Sequence, residues 1–86
     1  MEKPVCAVFD KKTGLWDSPF VVRHTGEAIR EWGIITQDRQ TKFGKNPEDF
    51  DLFEIGSYND STSVLTSTTP QHLASGVSNA SNVRAL

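Results

Sequence analysis

From Phe50 to Tyr58 the chain alternates with a period of two, and both resulting sets of side chains are partly apolar. One set holds Asp51, Phe53, Ile55 and Ser57, the other Phe50, Leu52, Glu54, Gly56 and Tyr58. Such a stretch reads as a strand with large side chains on both faces of a sheet. A helical period appears in "HTGEAIREWGIITQD", where Ala28, Ile29, Trp32 and Ile35 recur on one stripe. Thr25 is the expected N-cap, and Glu27 places negative charge in the first turn, where the helix dipole favours it. One helix covers one face of a small sheet, so the second apolar set is expected to meet a partner, a tail or a ligand.

The 86 residues leave room for one domain with one small core, which is marginal unless something else supports it. A disulfide is excluded by the single cysteine, and His24 and His72 stand too far apart in sequence for a zinc cage. Cys6 lies in the apolar run "VCAVF", where a thiol acts as a small hydrophobe rather than a reactive group. No run approaches the roughly 18 to 20 apolar residues that span a bilayer, and "MEKPV" lacks the features of a signal peptide, so the expected location is the cytoplasm.

Pro4–Asp10 reads as a first strand, turned by the polar cluster "DKKTG" into "LWDSPFVVR". There Pro19 confines its own position to a sheet edge, a strand start or a bulge, and the productive part is Phe20 to Arg23. Within the helix, Gly33 costs about 1 kcal/mol relative to Ala and marks either a close approach or tolerance. Trp32 is expected to pack on the sheet. Residues 37 to 45 read as a loop, and a short fourth strand is expected around Ser63 to Thr66. The Ser-, Thr- and Asn-rich remainder buries too little to offset its ordering cost, and is expected to be a mobile tail over 67–86. The fold class is therefore α+β: an antiparallel β-β-α-β-β sheet over residues 1–66, with one helix on one face and a flexible C-terminal tail.

Four carboxylates, Glu48, Asp49, Asp51 and Glu54, raise the question of a metal or acid–base site. Asn46 and Pro47 supply a favoured N-cap and first helical position, so Glu48 and Asp49 are accounted for as the opening of one helical turn. No nucleophile motif, phosphate-cradling glycine loop or set of metal ligands accompanies them. No catalytic residue, metal or cofactor is assigned.

The formal charge of −2 is unevenly distributed: residues 1–45 hold eight Lys/Arg against six Asp/Glu, and residues 46–62 hold five Asp/Glu and no Lys/Arg. That balance argues against strong autonomous binding of nucleic acid but leaves room for a local patch. The candidates for phosphate contact are Lys11, Lys12, Arg23, Arg30, Lys42 and Lys45, with Trp16 and Phe43 as stacking platforms. An alternative is a protein-interaction module, using Phe50, Leu52 and Tyr58 as the interface of a homo-oligomer or as a surface for another protein.

The order "AVFDKKTGLWDSPF", then "EAIREW", then "NPEDFDLFEIGSYND" resembles the small non-structural protein of gokushoviruses, single-stranded DNA phages of the Microviridae. The resemblance covers about residues 5 to 60, and its most specific element is "NPEDFDLFEIG". It departs after Tyr58, where "NDSTSVLTST" replaces a more acidic turn containing Gly. The resemblance implies a protein made in the infected bacterium and absent from the finished virion, acting in single-stranded DNA synthesis and packaging. It implies binding to single-stranded DNA, or to the replication initiator or procapsid proteins, and brings no catalytic residues.

Overall fold

A computed structural model of the chain describes residues 1–76. The elements run β1 (Glu2–Asp10), β2 (Leu15–Trp16), β3 (Phe20–Val21), α1 (Thr25–Ile35), α2 (Lys42–Lys45), a 3-10 turn (Pro47–Asp49), β4 (Phe50–Asn59) and β5 (Leu65–Ser75). All pairings are antiparallel, in the order β2-β1-β4-β5, with β3 also on β1. The expected α+β fold, a small antiparallel sheet with one main helix, is the fold observed.

Local chemistry sets the turns. Asp10 Oδ1 accepts from the backbone N–H of Lys12 at 2.9 Å and Thr13 at 3.3 Å, and Gly14 takes φ +75°, a region that suits glycine. The β4–β5 turn repeats the device: Asn59 Oδ1 accepts from Ser61 and Thr62, and Ser63 takes the left-handed conformation. Pro19 splits the return strand into β2 and β3, both of which pair with β1 at the sheet edge.

α1 begins at Thr25, with His24 rather than Thr25 at the extended N-cap position and no side-chain cap bond. Glu27 reaches back to accept from the Arg23 N–H at 3.2 Å, which satisfies a donor beside the helix start. At the other end the Thr36 hydroxyl donates to the Trp32 carbonyl at 2.8 Å. Ala28 and Trp32 enter the core with Cys6, Val8, Phe50 and Leu52, while Ile35, Phe43, Leu73 and Ala74 pack around them. Ile29, assigned to the same stripe by its spacing, is 40% exposed. Gly33 has open space around it, so tolerance accounts for it rather than close approach.

Three further expectations need correction. The loop at 37–45 contains α2, capped by Thr41, whose Oγ1 accepts from the Gly44 N–H at 3.0 Å; this short helix turns Phe43 onto the core. Pro47 does open a helical turn, but it is 3-10, and Asn46 makes no side-chain cap bond. The fourth strand runs to Ser75, so residues 67–75 belong to the domain rather than to a tail. Backbone pairing with β4 holds it, supplemented by Leu73 and Ala74 against the core, and neither needs an apolar composition along its length. The remainder of the expected tail, 77–86, lies outside the described residues.

The strand closes at Gly76, whose N–H donates to the Phe50 carbonyl at 2.9 Å. A Cβ there would overlap the carbonyl of Pro47, a backbone atom that cannot swing aside. Gly76→Ala is expected to destabilise the domain by roughly 1–3 kcal/mol. A urea midpoint equal to that of the parent protein would show that this junction is not tightly packed.

Candidate functional site

Directly opposed residues in an antiparallel pair share a face. Cys6 faces Glu54 and Val8 faces Leu52 on the side that α1 covers. Ala7 with Phe53, and Phe9 with Asp51, therefore lie on the open side. A register shift between Val5 and Cys6 leaves Ile55 as the extra residue of β4. Beyond it Gly56 and Tyr58, opposite Val5 and Lys3, join the face of Asp51 and Phe53.

The open side carries a row of rings across four strands. Trp16 on β2 lies 4.9 Å from Phe9 on β1 and 5.2 Å from Phe53 on β4, and Phe53 lies 5.3 Å from His72 on β5. The contacts are tilted or edge-on, arrangements that aromatic quadrupoles prefer. Trp16 remains 44% exposed, Phe9 and Phe53 are half-buried, and His72 is exposed.

Carboxylates meet basic side chains at both ends of the long strands β1 and β4. Asp51 lies 3.5 Å from Lys11 Nζ and 3.7 Å from His72 Nε2, and Lys12 lies 4.0 Å from Asp49. At the far end Lys3 lies 3.3 Å from Asp60, whose carboxyl is held below the usual range by the terminal amine and Lys3. Each of these lysines already has a carboxylate partner, so a phosphate gains less from it than from a bare lysine.

The residues singled out from the sequence divide. Trp16 lies in the ring row, with Lys11 and Lys12 on the adjoining turn. Phe43 lies apart from the ring row: partly buried, it makes edge contacts to Trp32 at 5.5 Å and Phe50 at 5.0 Å against the core. Lys42 pairs with Asp17 at 3.1 Å, holding that carboxyl low, and with Lys45 belongs to α2. Arg23 precedes α1, and Arg30 is exposed on it. These six cations do not share one element. Phe50 and Leu52 are 7% and 1% exposed beneath α1, which removes them from any interface; Tyr58 stays on the open face. Sequence reasoning missed Phe9, Phe53 and His72. The available signal was the polar company of Phe53, since Asp51 and Ser57 were grouped with it by period.

Of the four carboxylates, Asp49 and Asp51 meet lysines, while Glu54 sits across from Cys6 on the other face. Cys6 is wholly buried, and burial pushes its thiol up from 9.0 to about 11, with Glu54 adding to the shift. The raised value means that the folded state holds the proton more tightly. The associated stability is present below about pH 9 and is lost as pH rises toward 11, by at most on the order of 2 kcal/mol. Melting temperature should fall more steeply across that window for the parent protein than for Cys6→Ala. Parallel slopes would refute the thiol's contribution.

Beside α1 a cavity of about 330 Å³ is lined by Val8, Phe20, Trp32, Ile35, Phe43 and Leu52, with Asp17 and Glu31 among its polar residues. The Trp32 Nε1–H is buried without a hydrogen-bond partner.

A family model described as Phage ORF5 protein matches residues 3–79. The chain belongs to the Phage ORF5 protein family. No curated protein and no solved structure matches it. Among the described residues the Phage ORF5 match takes in β1 from Lys3 onward and every later strand and helix, so both the ring row and the core beneath α1 lie within the family region. This makes the chain a bacteriophage protein. Among the described residues of this Phage ORF5 member no helix is long and apolar enough to cross a membrane.

Proposed function

We propose that this phage protein is a non-enzymatic accessory factor that binds single-stranded DNA on its open sheet face during genome synthesis and packaging in the infected cell, as in the gokushoviruses it resembles. The supporting observation is the ring row Trp16–Phe9–Phe53–His72 on a face that α1 leaves uncovered. Bases stack on aromatic side chains irrespective of sequence, and nearby lysines track the backbone. Lys11 and Lys12 stand on the turn beside the row, and Lys3 lies at the far end of β1. Because carboxylates already hold these lysines, binding is weak, and added salt weakens it further.

Fluorescence anisotropy of a labelled single-stranded oligonucleotide, titrated at low and physiological salt, tests this reading. Saturable binding that weakens with salt supports it; no binding at low salt overturns it. In Lys11→Gln/Lys12→Gln the slope of log affinity against log salt should shrink by roughly 1.4, the loss of two single-strand phosphate contacts. An unchanged slope removes these lysines from the site.

A second reading follows from the saturated lysines and the net charge of −2: the same face receives a replication initiator or procapsid protein without touching DNA. An aromatic, half-buried surface suits protein contact as well. Failure of DNA binding together with co-purification of such a phage protein, lost in Trp16→Ala, would favour it.

A further inference from the structure

The two edges of the sheet are built differently. At one edge β2 and β3 are two residues each, with Asp17 and Pro19 in the gap between them. Short strands, proline and charge are the usual means by which an edge is kept from pairing with another chain. At the other edge β5 spans eleven residues, Leu65–Ser75, and among the described residues pairs only with β4.

From Ser61 to Gly76 the sequence holds no Lys, Arg, Asp or Glu. The protection on β5 is local: Pro70 and an irregular register between Gln71 and Ser67 divide the strand. The half before that break, Leu65–Thr69, is exposed throughout and carries Thr66, Thr68 and Thr69, β-branched residues that suit cross-strand pairs. Leu65 itself is 68% exposed, and Val64 just before it 55%.

We propose that Leu65–Thr69 is a dimerisation edge that pairs antiparallel with the same segment of a second copy. The occupant follows from charge. Antiparallel self-pairing sets the segment against a copy of itself, which is costly where the segment carries charge of one sign and free of repulsion for this uncharged one. Pairing β5 with the β2–β3 edge of another copy would be heterologous and would leave further edges open, and Pro19 interrupts the ladder there; self-pairing closes about a two-fold axis. Continuing the sheet across that axis places both ring rows on the same side of one larger surface.

The test is the mass of the full chain in solution by light scattering, without nucleic acid, so its outcome is independent of DNA binding. The expected mass is twice the 9.5 kDa of the chain. Thr66→Lys/Thr68→Lys, which lines the edge with like charges, should halve it while circular dichroism is unchanged. A parent protein at the mass of one chain overturns the proposal, and so does a folded double-lysine variant that stays dimeric. Hydrogen exchange on the unmodified protein reads the same edge without a substitution. Amides of residues 65–69 should exchange more slowly as protein concentration rises, and exchange independent of concentration overturns the proposal.

Discussion

Trp16→Ala is expected to weaken binding to single-stranded DNA by roughly 5- to 150-fold, the loss of one stacked base worth about 1–3 kcal/mol. Trp16 joins two neighbours in the ring row and is the most exposed of its three benzenoid rings, so it offers a base the largest free surface. It stands on a two-residue edge strand outside the core under α1, so its removal should leave the fold in place. Only its two aromatic contacts, to Phe9 and Phe53, are lost to stability, roughly 0.2–1 kcal/mol each. Trp16→Phe should recover much of the affinity. The salt slope separates the ring from the lysines: the tryptophan variant keeps the parent's slope at lower affinity. Affinity within twofold of the parent protein would remove the ring row from the binding surface.

The opposite face predicts a loss of structure. Trp32→Ala is expected to cost about 3–5 kcal/mol, against a total stability of roughly 4–13 kcal/mol for a chain of this size. Trp32 is 5% exposed, meets Phe43 edge-on and lines the existing cavity, so truncation enlarges a space already present instead of letting its walls collapse. Loss of that contact also loosens α2, leaving Phe43 with its edge contact to Phe50 at 5.0 Å. A large drop in urea midpoint, or no cooperative transition at all, is the expected result. A midpoint within a few tenths molar of the parent would mean that Trp32 is not central to the core.

These two tryptophans show what was legible in the sequence. Trp32 was readable because a helical period leaves a stripe with one destination, and Trp16 because it follows a turn built on Asp10 and Gly14. The faces of β4 were not. A single extra residue at Ile55 moves Tyr58 to the side of Phe53, and nothing in the composition marks the shift. The choice between Leu52 and Phe53 as the covered residue was equally hidden, since both alternating sets carry large apolar groups. β5 escaped for a different reason: an edge strand held by backbone hydrogen bonds needs no periodic hydrophobicity, and its Ser- and Thr-rich sequence resembles that of an unordered segment. With β5 went His72, the last ring of the row.

The central pairing also bears on how quickly the chain reaches its native state. β1 is the first strand in sequence, yet its long partner is β4, and the contact between Glu2 and Asn59 joins residues 57 positions apart. The β1–β2 hairpin closes a few residues and forms readily, but it offers β1 only a two-residue strand. Cys6 and Val8 stay exposed until β4 arrives and α1 settles over them. Closing a loop of that size before most of the rewarding contacts exist raises the entropic barrier. Refolding should therefore be slower than the chain's shortness suggests, and during synthesis the apolar run of β1 waits for more than half of the sequence to follow it.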